Sequence, residues 1–153
     1  MTLIAVVRIR GTVNTRKDFA ETLKRLNLRK PNHCVVLPDA EPYMSMVKKV
    51  RPYVAYGVID LETLKELLRK RGEIEGVGRL NEENVKRLGF ISIEELAEAL
   101  YKGKVSFKDI PRLRKTFRLN PPSKGYQSIK KPYPEGSFGD WGSNIVSLIR
   151  RML

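Results

Sequence analysis

The chain has 153 residues, one cysteine, one histidine and a formal net charge of +13 at pH 7. That length suits one compact core with a small appended subdomain. A single cysteine excludes an intrachain disulfide and fits a reducing, cytosolic compartment. A charge of this size points to a polyanion, nucleic acid before an acidic membrane surface. The charge is uneven, +6 over residues 1–60, −2 over 61–100 and +9 over 101–153, so the ends are the expected contacts. The middle reads as solvated or protein-facing. The opening Met1–Val7 has no basic lead-in and its apolar run stops at Arg8, too short for a signal peptide or membrane span.

Residues 3–10 alternate as a strand. Leu3, Ala5, Val7 and Ile9 share a face that suits a helix layer; Ile4, Val6, Arg8 and Arg10 share the other, which ends in cations before a turn at Gly11. Thr15, with Asp18 three residues on, has capping-box spacing and opens a helix. Phe19, Ala20, Leu23, Leu26 and Asn27 mark its buried side. Arg16 and Lys17 in its first turn are either a solvated face or phosphate ligands. Leu28–Asp39 is the stretch around which the chain is organised. It holds a basic turn (Arg29, Lys30, Pro31, Asn32), an apolar strand (Cys34–Leu37) and a cap, Asp39, for a second helix that tolerates Pro42 in its first turn. Met46, Val47 and Val50 face inward there. Lys48 and Lys49 near its C-terminal end either complement the helix dipole or contact RNA. Tyr53–Ile59 is a third strand. The expected class is α+β, with a β-α-β-α-β core over residues 1–59, a three-stranded antiparallel sheet and both helices on one face. Ile4, Val6, Cys34 and Val36, or their alternates, then need a cover from the rest of the chain.

Asp60 caps a leucine-rich helix that ends at Gly72, Asn81 starts a short helix that stops at Gly89, and Ser92 with Glu95 opens another that ends at Gly103. Residues 60–103 thus form a small helical subdomain. Periodicity fades from Lys104 to Gly142. Cations (Arg112, Arg114, Lys115, Arg118, Lys124, Lys130, Lys131) interleave with aromatics (Phe117, Tyr126, Tyr133, Phe138, Trp141), as in a segment laid along RNA, the rings taking bases or docking back on the protein. Ser143 or Asn144 caps a helix whose apolar side, Ile145, Leu148, Ile149 and Met152, docks on the core. Residues 104–153 therefore read as an extended basic segment tethered at both ends.

Catalytic patterns do not emerge. His33 and Cys34 are neighbours in a strand, so their side chains diverge and form no dyad. Cys34 reads as a small core residue; His33 is either an RNA contact in the loop or a half-buried strand residue. One histidine and one cysteine make no metal cluster, and Gly72, Gly76 and Gly78 lack the phosphate-loop pattern and its lysine. The surviving readings are an RNA-binding structural protein and, behind it, a protein-interaction adaptor using the helical middle.

Three stretches carry a resemblance: Val7–Gly11 (VRIRG), Leu26–Val36 (LNLRKPNHCVV) and Tyr43–Val50 (YMSMVKKV), joined in the tail by Phe117–Pro122 (FRLNPP) and Leu148–Met152 (LIRRM). In this order they resemble the large-ribosomal-subunit protein family numbered thirty in bacteria and archaea and seven in eukaryotes. The tail matches only the longer archaeal and eukaryotic forms. The chain departs from the family pattern at Ser45, often glycine, and at Met44, often arginine in the bacterial form. The resemblance implies a ferredoxin-like core, no catalysis and no cofactor. It also implies binding to large-subunit ribosomal RNA beside neighbouring ribosomal proteins, with no membrane and no small-molecule substrate. The expected RNA contacts are Arg8 and Arg10 on the first strand, Arg16 and Lys17 on the first helix, and Arg29, Lys30, Asn32 and His33 in the turn. Lys48 and Lys49 on the second helix and the seven tail cations complete them.

Overall fold

The structure, a computed structural model, describes residues 3–11, 16–110, 112–126 and 128–153. In chain order these contain β1 (Leu3–Arg8), α1 (Lys17–Arg25), β2 (His33–Pro38), α2 (Tyr43–Lys49), β3 (Val54–Val58) and α3 (Leu61–Arg71). A short hairpin of β4 (Glu73–Ile74) and β5 (Gly78–Arg79) follows, then α4 (Ile93–Tyr101), β6 (Thr116–Arg118), β7 (Gly139–Asp140) and α5 (Ile145–Met152).

The class is α+β with a central sheet, but the sheet has five strands, in the order β6-β2-β1-β3-β7, where three were expected. β1, β2 and β3 form the expected antiparallel centre. The segment after residue 104 adds a strand to each edge, β6 antiparallel to β2 and β7 parallel to β3. At three and two residues these strands are too short to show a period of two.

Both faces of the sheet are covered; Cys34 and Val36 lie under the later part of the chain, as expected, whereas Ile4 and Val6 lie under α1 and α2. The register sets Val7 opposite Cys34 and Ala55, and Ala5 opposite Val36 and Gly57. That face carries the larger core, built with Leu64, Leu67 and Leu68 of α3, Leu96 of α4 and Ile145, Leu148 and Ile149 of α5. Ile4, Val6, Val35 and Tyr56 point the other way and meet Leu23 of α1 and Val47 of α2. Small side chains on the first face explain the choice. A Cβ at Gly57 would lie 2.9 Å from Ile145 Cβ and collide with the Gly142 carbonyl, so α5 and the turn before it sit directly on the strand. The larger core draws on residues before 60, between 60 and 103, and after 104.

Side-chain caps open α3 and α4, whereas α5 begins after Asn144 with no side-chain cap, contrary to the expected cap by Ser143 or Asn144. Asp60 Oδ1 accepts from Thr63 N at 2.8 Å to open α3, and Ser92 Oγ accepts from Glu95 N at 3.1 Å to open α4. The Glu95 carboxylate reaches back to Ile91 N rather than to Ser92. Residues Asn84–Leu88 make a 3-10 turn rather than an α-helix, with Asn81 Oδ1 accepting from Glu83 N and Asn84 N. Asp39 does not cap α2: the chain first makes a tight turn, Ala40 N to Pro38 O, and the helix begins after Pro42 with no side-chain cap. Ala20, expected inside, is exposed, and Asn27 ends α1 instead of packing under it. The start of α1 at Thr15 lies outside the described residues; the helix is seen from Lys17.

Candidate nucleic-acid interface

The basic turn between α1 and β2 is held by two asparagines in the left-handed region. Asn27 (φ 64°) closes α1, its N–H donating to Lys24 O at 3.0 Å while Leu28 N donates to Leu23 O at 2.9 Å. This pair of bonds satisfies the last carbonyls of the helix, and asparagine tolerates the conformation best after glycine. Leu28 is buried, so Arg29, Lys30 and Pro31 are lifted to the surface. Asn32 (φ 67°) turns the chain into β2.

Beneath the turn lies Arg8, only 2% exposed. Its guanidinium donates to the carbonyls of Leu28 at 2.8 Å, Arg10 at 2.9 Å and Gly11 at 3.4 Å. Burial lowers its pKa from the ordinary value, partly offset by Tyr53. Arg8 was expected to touch RNA; the structure withdraws it from the surface because β1 is a central strand covered on both faces. It braces the turn from inside. Asn32 is likewise engaged within the protein: N to Arg8 O at 2.7 Å, O from Leu119 N at 3.1 Å, Oδ1 from the Tyr126 hydroxyl at 2.6 Å. Burial raises the pKa of Tyr126, which keeps that hydroxyl a donor.

Beside the turn opens a hollow of about 530 Å³. It is lined by Arg29 from the turn, His33 from β2, Arg114, Lys115 and Arg118 from the tail, and Glu75 from the β4–β5 hairpin, with Asn27, Leu113 and Thr116 completing the lining. The tail builds it by changing partners. Residues 112–114 pair with the hairpin (Glu75 N to Arg112 O, 2.8 Å; Arg114 N to Glu73 O, 2.9 Å), and 116–118 pair with β2. Thr116 Oγ1 donates to Asn27 O at 2.8 Å and ties the junction to the end of α1. Arg118 stands opposite His33 in the strand register. Five residues singled out from the sequence thus meet in one place, although they are some eighty residues apart.

The field there is positive. The His33 pKa is lowered, first by burial and then by Arg118, Lys30 and Arg8, so the imidazole is neutral at pH 7. Its Nδ1 is buried with no hydrogen-bond partner among the described residues. Arg114 is tied to Glu73 (Nε to Oε2, 3.3 Å). Among the described residues no ion pair engages Arg29, Lys115, Arg118 or Glu75. Cys34, next to His33, faces the larger core; burial pushes its thiol up to about 12.

Other expected contacts lie apart from the hollow. Arg10 stacks over Tyr53 (5.1 Å to the ring centre), Tyr53 meets Phe19 (5.5 Å), and Arg16 lies over Phe19 (5.0 Å) while pairing with Asp18 at 3.3 Å. These four side chains form a row on the α1 side, two rings between two guanidinium groups. Lys17, Lys48, Lys49, Arg112, Lys124, Lys130 and Lys131 are exposed. Lys124 (φ 66°) tips a loop pinned by Arg151, whose NH1 donates to Ser123 O at 3.3 Å and Gly125 O at 3.4 Å. The tail aromatics dock on the protein. Phe117 is fully buried; Tyr133 stacks on Trp141 at 4.4 Å; Trp141 Nε1 donates to Ser137 O at 2.8 Å. Sequence reasoning missed Glu75, Asn27 and Thr116 as site residues. Asn27, directly after a periodic apolar stripe, carried the signal of a helix stop; Glu75 carried none.

The fold and this surface define a sheet protein whose tail closes both edges and gathers cations along one of them. Residues 4–54 match the family described as ribosomal protein L30p/L7e. Curated relatives match nearly end to end, each named large ribosomal subunit protein uL30. That of Archaeoglobus fulgidus is 48% identical, covering 98% of this chain and 99% of the relative. That of Methanococcus maripaludis is 46% identical over 97% and 98%, and that of Methanocorpusculum labreanum 43% identical over 98% and 99%. The chain belongs to the ribosomal protein L30p/L7e family, whose members are structural rather than catalytic. Among the described residues no helix is long and apolar enough to cross a membrane.

Proposed function

We propose that the chain is a structural constituent of the large ribosomal subunit in the cytoplasm, and that it binds and stabilises folded ribosomal RNA. The observation that carries this reading is the meeting of Arg29, His33, Arg114, Lys115 and Arg118 in one positive hollow. Residues 1–59 act as a ferredoxin-like RNA-binding core. Residues 104–153 act as a basic band laid across it, with Lys30, Lys124, Lys130 and Lys131 on further phosphates. Arg10, Arg16, Lys17, Lys48, Lys49 and Arg112 widen the contact. Arg8 and Asn32 act through the turn they hold. Recognition is chiefly of phosphate geometry and RNA shape. The helical middle, residues 60–103, faces neighbouring ribosomal proteins; it is the acidic part of the chain, and Ile91 on it is 77% exposed.

A salt titration tests this. With six to ten phosphates neutralised, affinity for large-subunit ribosomal RNA falls by roughly three to five orders of magnitude between about 50 and 200 mM salt. A flat salt dependence would overturn the reading.

A further inference from the structure

We infer that the hollow beside β6 receives a single unstacked nucleotide of RNA, its phosphate on Arg29, Lys115 and Arg118 and the donor edge of its base on the Glu75 carboxylate. This rests on the RNA-binding reading and sharpens it. At about 530 Å³ the hollow is a pocket for one small group rather than a track for a helix. RNA is read by sequence chiefly where bases are unstacked, and such bases lie on imidazole rings or guanidinium planes. The lining supplies both, from His33 and three arginines. The neutral state of His33 suits it to stacking rather than to phosphate.

Glu75 is the feature that a phosphate site does not explain. A carboxylate repels phosphate, yet this one stands among cations without pairing to any described residue, while its neighbour Glu73 takes Arg114. An ionised carboxylate only accepts hydrogen bonds, through two oxygens. Guanine offers two adjacent donors, N1–H and the N2 amino group, that match both oxygens. Cytosine and adenine offer one amino group next to an acceptor. Uracil offers one N–H between two carbonyls that would face the carboxylate. The base preferred is therefore guanine, and the one most disfavoured is uracil.

The test uses the full chain and a set of RNA hairpins identical except for one bulged nucleotide, G, C, A or U, titrated at fixed and at varied salt. The G hairpin should bind about tenfold more tightly than the U hairpin, and Glu75→Gln should shrink that preference to about twofold without weakening the U hairpin. Glu75 is exposed and its side chain makes no hydrogen bond or ion pair among the described residues, so the variant should melt like the parent. Equal binding of the four hairpins overturns the inference. So does a Glu75→Gln variant that tightens all four by one factor, since Glu75 would then be only a repelling charge. In either case a steep salt slope leaves the RNA-binding reading standing; a flat slope for every hairpin removes both.

Discussion

The two edges of the sheet are closed by the same segment of chain in opposite ways. At the β7 edge the segment is locked into the protein: Trp141 N donates to Tyr56 O at 2.7 Å, its ring lies on Tyr133, and Gly57 leaves no room for a side chain beneath the turn before α5. At the β6 edge Leu113, Phe117 and Leu119 point inward, while Arg114, Lys115 and Arg118 between them stay in solvent around the hollow. One edge is anchored by packing so that the other can present charge. Strand addition and the proposed polyanion binding are therefore separate uses of one tail, and substitutions should separate them.

The largest expected effect is at the anchored edge. Trp141→Ala should lower stability by about 3–5 kcal/mol, the range for deleting a buried aromatic ring, as read by chemical denaturation. RNA affinity of the still-folded fraction should hold; a variant that loses affinity but not stability would merge the two edges. Arg8→Ala comes next. It strands the buried carbonyl of Leu28 and the half-buried one of Arg10, and should cost about 2–4 kcal/mol. At the open edge the signs reverse. Arg29→Glu with Arg118→Glu should weaken RNA binding by about 10- to 100-fold near 100 mM salt and flatten the salt slope, since two phosphate contacts become repulsive. Its folding stability should move by no more than about 0.5 kcal/mol. Lys86→Glu, exposed on the helical middle, should change affinity by less than about twofold and serves as the charge control. If both reversals weaken binding equally, the contact surface is elsewhere.

The smallest effect is a pH dependence. The folded pKa of His33 lies below its ordinary value of 6.5, so the unfolded chain takes up the proton first as pH falls. The contribution of His33 to stability is whole above about pH 6.5 and is lost as pH drops from there towards the folded pKa. His33→Gln should flatten this part of a stability–pH curve; a curve unchanged by the substitution would place the titration on another group.

The parts that were legible in the sequence are those with local signals. The alternation of residues 3–10 and the caps at Asp60 and Ser92 announce themselves within one or two turns of chain. The outer strands do not, because β6 and β7 are made by their partners rather than by their own pattern. Which face of β1 the first two helices would cover was equally hidden. Residues Ala5, Ala55 and Gly57 look unremarkable until a helix must lie on them. Arg8 is the instructive case among the site residues. Alternation placed it correctly with Ile4 and Val6, but a strand read alone does not show that it is central, and only centrality turns an arginine from a contact into a brace. Arg29, Arg114, Lys115 and Arg118 could be picked out by charge; that they would share one hollow depended on a pairing eighty residues apart.

The wide separation of those pairings also orders events in time. The three central strands are complete by Val58, whereas the strands that flank them begin at Thr116 and Gly139. On a chain made from its N-terminus, β2 and β3 present bare hydrogen-bonding edges until more than half of the remaining sequence has been synthesised, and such edges invite pairing with other chains. The cationic hollow does not exist during that interval, because three of its cations arrive with β6. The cationic hollow and protection from aggregation are thus acquired together, late in synthesis, by the same closing segment.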